Sequence, residues 1–139
     1  MLNIVIIHKN IYYFIDKFDR NEILSLDARI NIIYRNYKEK NIDPIIKKIK
    51  ETCNKNNRKF YITNDLKVAL KFDLNGLYLS AFNNKLNYKN ISSRKNFKII
   101  GSAHNYKEIK IKEKKVTKST RKNLSQSHAH VYLEYAQRL

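Results

Sequence analysis

The chain has 139 residues, 42% hydrophobic and 29% charged, with 29 Lys and Arg against 12 Asp and Glu for a formal net charge of +17. That length suits one domain with a buried core, and the composition excludes wholesale disorder. No apolar run approaches the roughly 20 residues needed to span a bilayer, and the single Cys53 excludes an intramolecular disulfide.

In chain order, the apolar opening from Met1 to Lys9 has no basic segment before it and no small-residue cleavage site after it. It reads as a strand or short helix rather than a signal peptide, and the cytoplasm is the expected location. Ile11-Tyr12-Tyr13-Phe14-Ile15 has the length and the aromatic and β-branched content of a buried strand. Asp19 or Asn21 would cap a short helix through Glu22, Ile23, Leu24 and Leu26. Asn31-Ile32-Ile33-Tyr34-Arg35 predicts a second strand. Asp43-Pro44 predicts a helix start, with Asp43 as N-cap and Pro44 at the first helical position; Ile45, Ile46, Ile49 and Cys53 form its apolar stripe.

Lys59-Phe60-Tyr61-Ile62-Thr63 is the third strand, and Asn64 would cap a helix carrying Leu66, Ala69 and Leu70. Gly76 precedes a fourth strand at Leu77-Tyr78-Leu79, and Phe97 to Gly101 gives a fifth. Asn105 with Glu108 resembles a capping box opening a charged helix. Strands alternating with helices imply parallel βαβ units with right-handed crossovers, as in a small doubly wound sheet or part of a (β/α) barrel. After about Lys115 the alternation stops. Residues 1–115 therefore form one unit, and 116–139 read as a polar tail with a short helix on Val131, Tyr135 and Leu139.

The charge would suit a nucleic-acid binder, since Lys and Arg neutralise phosphates. However, the excess is almost all Lys, spread evenly and mixed with Asn, Ile and Tyr, types that share A/T-rich codons, while Arg is scarce. Genomic bias explains the charge more simply. A non-enzymatic protein binding nucleic acid or another polyanion stands as the alternative reading. His128 and His130 alternate as a strand pair of metal ligands would, without a supporting Cys or carboxylate cluster.

The segment Phe60-Tyr61-Ile62-Thr63-Asn64-Asp65-Leu66-Lys67-Val68-Ala69-Leu70, followed by Leu74-Asn75-Gly76-Leu77-Tyr78-Leu79, resembles the thiamine phosphate synthase/TenI family. Members carry a strand ending in Asn-Asp, a helix with an Ala-Leu pair, then a Gly-Val-His-Leu strand. Ile99-Ile100-Gly101-Ser102-Ala103-His104-Asn105 is similar to the family's Ile-Gly strand leading into Ser-x-His. Ile33-Tyr34-Arg35 fits the place of its Gln-Leu-Arg-Glu-Lys motif, and Tyr12 to Asp16 its first strand. The resemblance covers roughly residues 11 to 115, with the motifs in the family's order.

The resemblance implies an α/β fold, a partial (β/α)8 TIM barrel of about five parallel strands with intervening helices, and ligands at the C-terminal strand ends. It implies joining of a hydroxymethylpyrimidine diphosphate to a thiazole phosphate, or a TenI-type thiazole tautomerisation. Carried over by position, Arg35 and Asn64 would contact the diphosphate, Asp65 would hold Mg²⁺, Ser102 would hydrogen-bond a phosphate or ring, and His104 would do acid–base work. Asp65 and His104 also fit plain helix capping. Three positions depart from the family: its Lys two residues after the Arg is Tyr37, the His of its Gly-Val-His-Leu is Tyr78, and its second Mg²⁺-binding Asp is Asn83. Its later Gly-x-Gly-Pro and Gly-Gly phosphate grips are missing, so a second copy closing the barrel as a homo-oligomer is expected.

Overall fold

In the computed structural model, residues 3–7, 9–80 and 96–101 are described in full, together with the backbone of 130–133 and 137–138. Strand β1 (Ile4–Ile7) turns back through Lys9, at φ 65°, into β2 (Asn10–Ile15). The two pair antiparallel with Ile7 opposite Asn10, which decides the opening segment as a strand in a tight hairpin. Helix α1 (Arg20–Ser25) starts where Asp19 accepts from the Glu22 N–H. Then come β3 (Ile30–Tyr34), α2 (Asp43–Lys55), β4 (Phe60–Thr63), α3 (Leu66–Lys71), β5 (Gly76–Leu79) and β6 (Lys98–Gly101).

The short strands are dominated by Ile, Tyr, Phe and Leu, and the ladders from β2 to β6 are parallel. Parallel strands buried on both faces need such continuous apolar runs. The chain has only 2 Gly, so Asn and Asp take the left-handed positions that end the helices. Asn57 (φ 54°) follows α2 and Asp73 (φ 51°) follows α3. In each case the next N–H reaches back to the helix, Arg58 to Cys53 O at 2.9 Å and Leu74 to Ala69 O at 2.9 Å, a Schellman closure.

Helices α1, α2 and α3 cover one face of the sheet. Ile23, Ile46, Ile49, Cys53 and Ala69 pack there against alternate strand residues such as Ile32, Ile62 and Leu77. The intervening strand residues, Tyr12, Phe14, Ile33, Tyr61, Tyr78 and Ile100 among them, form a second buried cluster on the opposite face. Edge-to-face contacts organise that cluster, with ring centroids 5.4 Å apart for Tyr12 and Tyr61 and 5.1 Å for Phe14 and Tyr78.

The tail departs from expectation. Instead of a helix through Val131, residues His130–Leu133 form β7, parallel to β6, and Gln137–Arg138 form β8, antiparallel to β1. The apolar pattern fits either state, and the unpaired N–H and C=O groups along β6 decide it, because a strand satisfies them. The sheet order is β7-β6-β5-β4-β3-β2-β1-β8, so the tail touches both ends of it. Laid flat, the outer strands would lie about 33 Å apart at the usual strand spacing. Leu133 and Gln137 are joined by four Cα steps, at most about 14 Å. The sheet therefore has to curl, giving a mixed α/β fold consistent with part of a barrel.

No helix among the described residues is long and apolar enough to cross a membrane. Cys53 is fully buried, and burial pushes its thiol up to about 12, Arg58 opposing slightly. The thiolate is the reactive form, so the native protein is expected to resist a disulfide exchange reagent at pH 8 and to react fully once denatured. Because the unfolded thiol ionises near its ordinary value of 9.0 and the folded one near 12, this group's contribution to stability is complete below pH 9. It falls as the pH rises from 9 towards 12.

Candidate functional site

Ligand sites of parallel α/β sheets lie beyond the C-terminal strand ends, where loops gather over the sheet edge. Here that edge carries Tyr34 and Arg35 after β3, Thr63, Asn64 and Asp65 after β4, and Ser80 after β5. The Arg35 N–H donates to Ile15 O at 2.8 Å, which extends the β2–β3 ladder by one residue. Its guanidinium lies 4.1 Å from the centroid of the Phe14 ring, on the face opposite the helices.

Asn64 leaves β4 in the left-handed region, at φ 60°, which Asn tolerates better than other side chains. Its N–H donates to Tyr78 O at 2.8 Å, its Nδ2 to Ser80 Oγ at 2.6 Å, and its Oδ1 accepts the Ser80 N–H at 3.0 Å. Asn64 is thus a clamp between the ends of β4 and β5. The expected cap of α3 shifts one residue on: Asp65 Oδ1, rather than Asn64, accepts the Val68 N–H at 3.0 Å. The reason is geometric, since the left-handed turn points the Asn64 amide back at β5. Asp65→Ala is expected to destabilise the protein by about 1 kcal/mol and Asp65→Asn by a few tenths at most, because Asn caps as well as Asp; urea midpoints check both.

A cavity of about 380 Å³ lies between the ends of β3 and β4 and the first turns of α2 and α3. Tyr34, Glu39, Lys40, Asp43, Thr63, Asn64 and Asp65 are among its lining residues. The loop above it is held by Asn36. Its Nδ2 donates to Asp16 O at 2.9 Å, while its Oδ1 accepts from Lys38 N at 2.9 Å and Glu39 N at 3.0 Å. Glu39 Oε1 accepts the Asn41 N–H at 3.1 Å. Asp43 is the first residue of α2 rather than its N-cap: Ile42 holds that place without a side-chain cap. The Asp43 carboxylate pairs with Lys71 instead of turning back on its own helix.

Tyr34 is 2% exposed and its hydroxyl has no partner among the described residues; the Thr63 hydroxyl, also buried, has none either. Burial foremost, then the charges of Glu39 and Asp16, raise the Tyr34 phenol above its ordinary value, so it stays protonated. A buried tyrosine usually finds a partner, and one without a partner weakens the fold. Tyr34→Phe is therefore expected to leave stability unchanged or raise it by up to about 1 kcal/mol, read as a shift in the thermal midpoint.

The edge thus brings Asn64 and Asp65 together on one cavity, and sends Arg35 to the other face of the sheet. Ser102, His104, Asn83, His128 and the capping box at Asn105 lie outside the described residues, and His130 enters only as backbone of β7. Tyr34 was legible only as a strand residue and Glu39 was not singled out; a polar tip at the end of an otherwise apolar strand was the one available signal. Asp65 spends one carboxylate oxygen on its cap, and no group of three His, Cys, Asp or Glu side chains among the described residues could hold a metal ion. Comparison with family models, curated proteins and solved structures finds no match.

Proposed function

We propose that this chain is a thiamine-pathway protein of the thiamine phosphate synthase/TenI type, built as a partial (β/α)8 barrel and working in the cytoplasm. The observation that supports it best is the Asn64-Asp65 pair, which follows a parallel strand and lines a cavity at the C-terminal sheet edge. In this reading the second Asp65 oxygen would be the one protein carboxylate to hold a Mg²⁺ ion bound together with the pyrimidine diphosphate. One carboxylate plus substrate phosphates is an ordinary way to hold Mg²⁺. The chemistry such an ion would supply is positive charge to offset the departing diphosphate.

Carried over from the resemblance, Arg35 would supply a cation at the helix-free side of this sheet edge, Ser102 a hydrogen bond, and His104 the proton transfer of a tautomerase. Asn64 contributes by fixing the turn that presents Asp65, its own amide being engaged with Ser80. The purified chain incubated with both substrates and Mg²⁺ is expected to form thiamine phosphate above background, and Asp65→Asn to reduce the rate by at least about tenfold. An absence of product removes the synthase. A thiazole tautomerisation assay with His104→Ala as control then decides the TenI-type activity.

A further inference from the structure

The ladders of the sheet are unequal. β1 pairs with β2 through four residues and β6 with β7 through four, whereas β8 meets β1 through two alone, Gln137 against Ile6 and Arg138 against Val5. Ile4 and Ile7 have no register partner in β8. So short a ladder fixes little of the chain on either side and is the first to part by local opening. The second observation is the length of the link that precedes it. Residues 134–136 carry the chain from β7, at one end of the strand order, to β8 at the other. Within one chain β8 reaches β1 only while the two ends of the sheet stay within about 14 Å of each other. A short connection held to one closed geometry favours exchange of the element beyond it, since the same pairs form between copies without that constraint.

We propose that β8 is an exchangeable strap, which closes the sheet of its own chain in dilute solution and pairs with β1 of a second copy in concentrated solution. The register names the occupant of the β1 edge: Gln137 with Ile6 and Arg138 with Val5 form equally within one chain or between two, so no new complementarity is required. Exchange is reciprocal. It gives a closed two-fold dimer in which both β1 edges are covered and neither is left to recruit a third copy. The entropy of association opposes the dimer, so the self-closed monomer prevails on dilution. The inference names a partner and stands independently of the thiamine-pathway reading.

The test begins with the molar mass of the full chain, followed by light scattering over about a thousandfold range of concentration; a monomer that converts to a dimer is expected. Chains carrying Ile6→Cys and chains carrying Gln137→Cys are then mixed, incubated at the upper concentration and oxidised. The two positions face each other across an antiparallel ladder, within reach of a disulfide, and Cys53 is buried and does not compete. A covalent dimer with one chain of each kind is expected, and none from either kind alone. A short run of glycines inserted between Glu134 and Tyr135 frees the sheet ends, and is expected to lower the dimer fraction at least about fivefold. Removal of residues 137–139 is expected to abolish the dimer, whereas it would increase a dimer made through bare β1 edges. A chain that stays monomeric throughout, a covalent dimer of Ile6→Cys chains alone, or a dimer that survives both the glycines and the loss of the strap overturns the proposal.

Discussion

Gly76→Ala is expected to destabilise the protein by about 4 kcal/mol or more, enough to prevent accumulation of folded chain. Gly76 is the first residue of β5, paired with Tyr61 on one side and Lys98 on the other. A Cβ built there would collide with the Lys98 carbonyl oxygen and come within 2.7 Å of Tyr61 Cε1. The first obstacle is backbone in the ladder, which cannot turn aside as a side chain can. The second is a ring that is 1% exposed and fixed edge-to-face on Tyr12. Relief therefore needs the β5–β6 ladder to part. Soluble yield and circular dichroism melts of the variant check this; a thermal midpoint within a few degrees of the parent would show that the strands approach less closely than described.

Arg58→Met is the second large effect, expected at about 3 kcal/mol. Arg58 is 6% exposed and follows the left-handed turn that ends α2. Its Nη1 donates to Asp27 O at 2.7 Å and Ile30 O at 2.8 Å, and its Nη2 to Leu26 O at 2.6 Å. Those carbonyls belong to the connection from α1 into β3, so one guanidinium ties two βα units together at the N-terminal edge of the sheet. Met matches the stem and leaves three carbonyls without their donor. Arg58→Lys, with a single ammonium that cannot span the same fork, is expected to recover less than half of the loss. Urea unfolding of the three proteins at equal m-value checks both figures.

How much of this was legible in the sequence depended on whether a segment's partners were local. The strand at Phe60 to Thr63 and the helix stripe of Ile46, Ile49 and Cys53 declare themselves through period and composition. Asp19 caps as its position predicts. The cap of α3 moved by one residue because the Asn64 amide is claimed by Ser80, 16 residues away. Asp43 lost its cap role to Lys71, 28 residues away. Val131 could not be assigned to a strand from its own neighbours, since the edge it pairs with belongs to β6. The cavity itself was half legible. Asn64 and Asp65 were singled out through the resemblance and both line the cavity, whereas Tyr34 and Glu39 gain meaning only from what the fold does and does not place beside them. Arg35 was readable as a charge at a strand end, but its rotation onto Phe14 follows from the alternation of faces along β3.

The tail that pairs with both ends of the sheet also shapes the order of folding. Units from β2 to β6 join neighbours in sequence and can form early, while the match of Val5 with Arg138 spans nearly the whole chain and must wait for them. Until it forms, β1 presents an open edge of Ile and Val to other chains. Refolding yield should therefore fall as protein concentration rises, and the step that fails should be the last one, when the two ends of the sequence find each other.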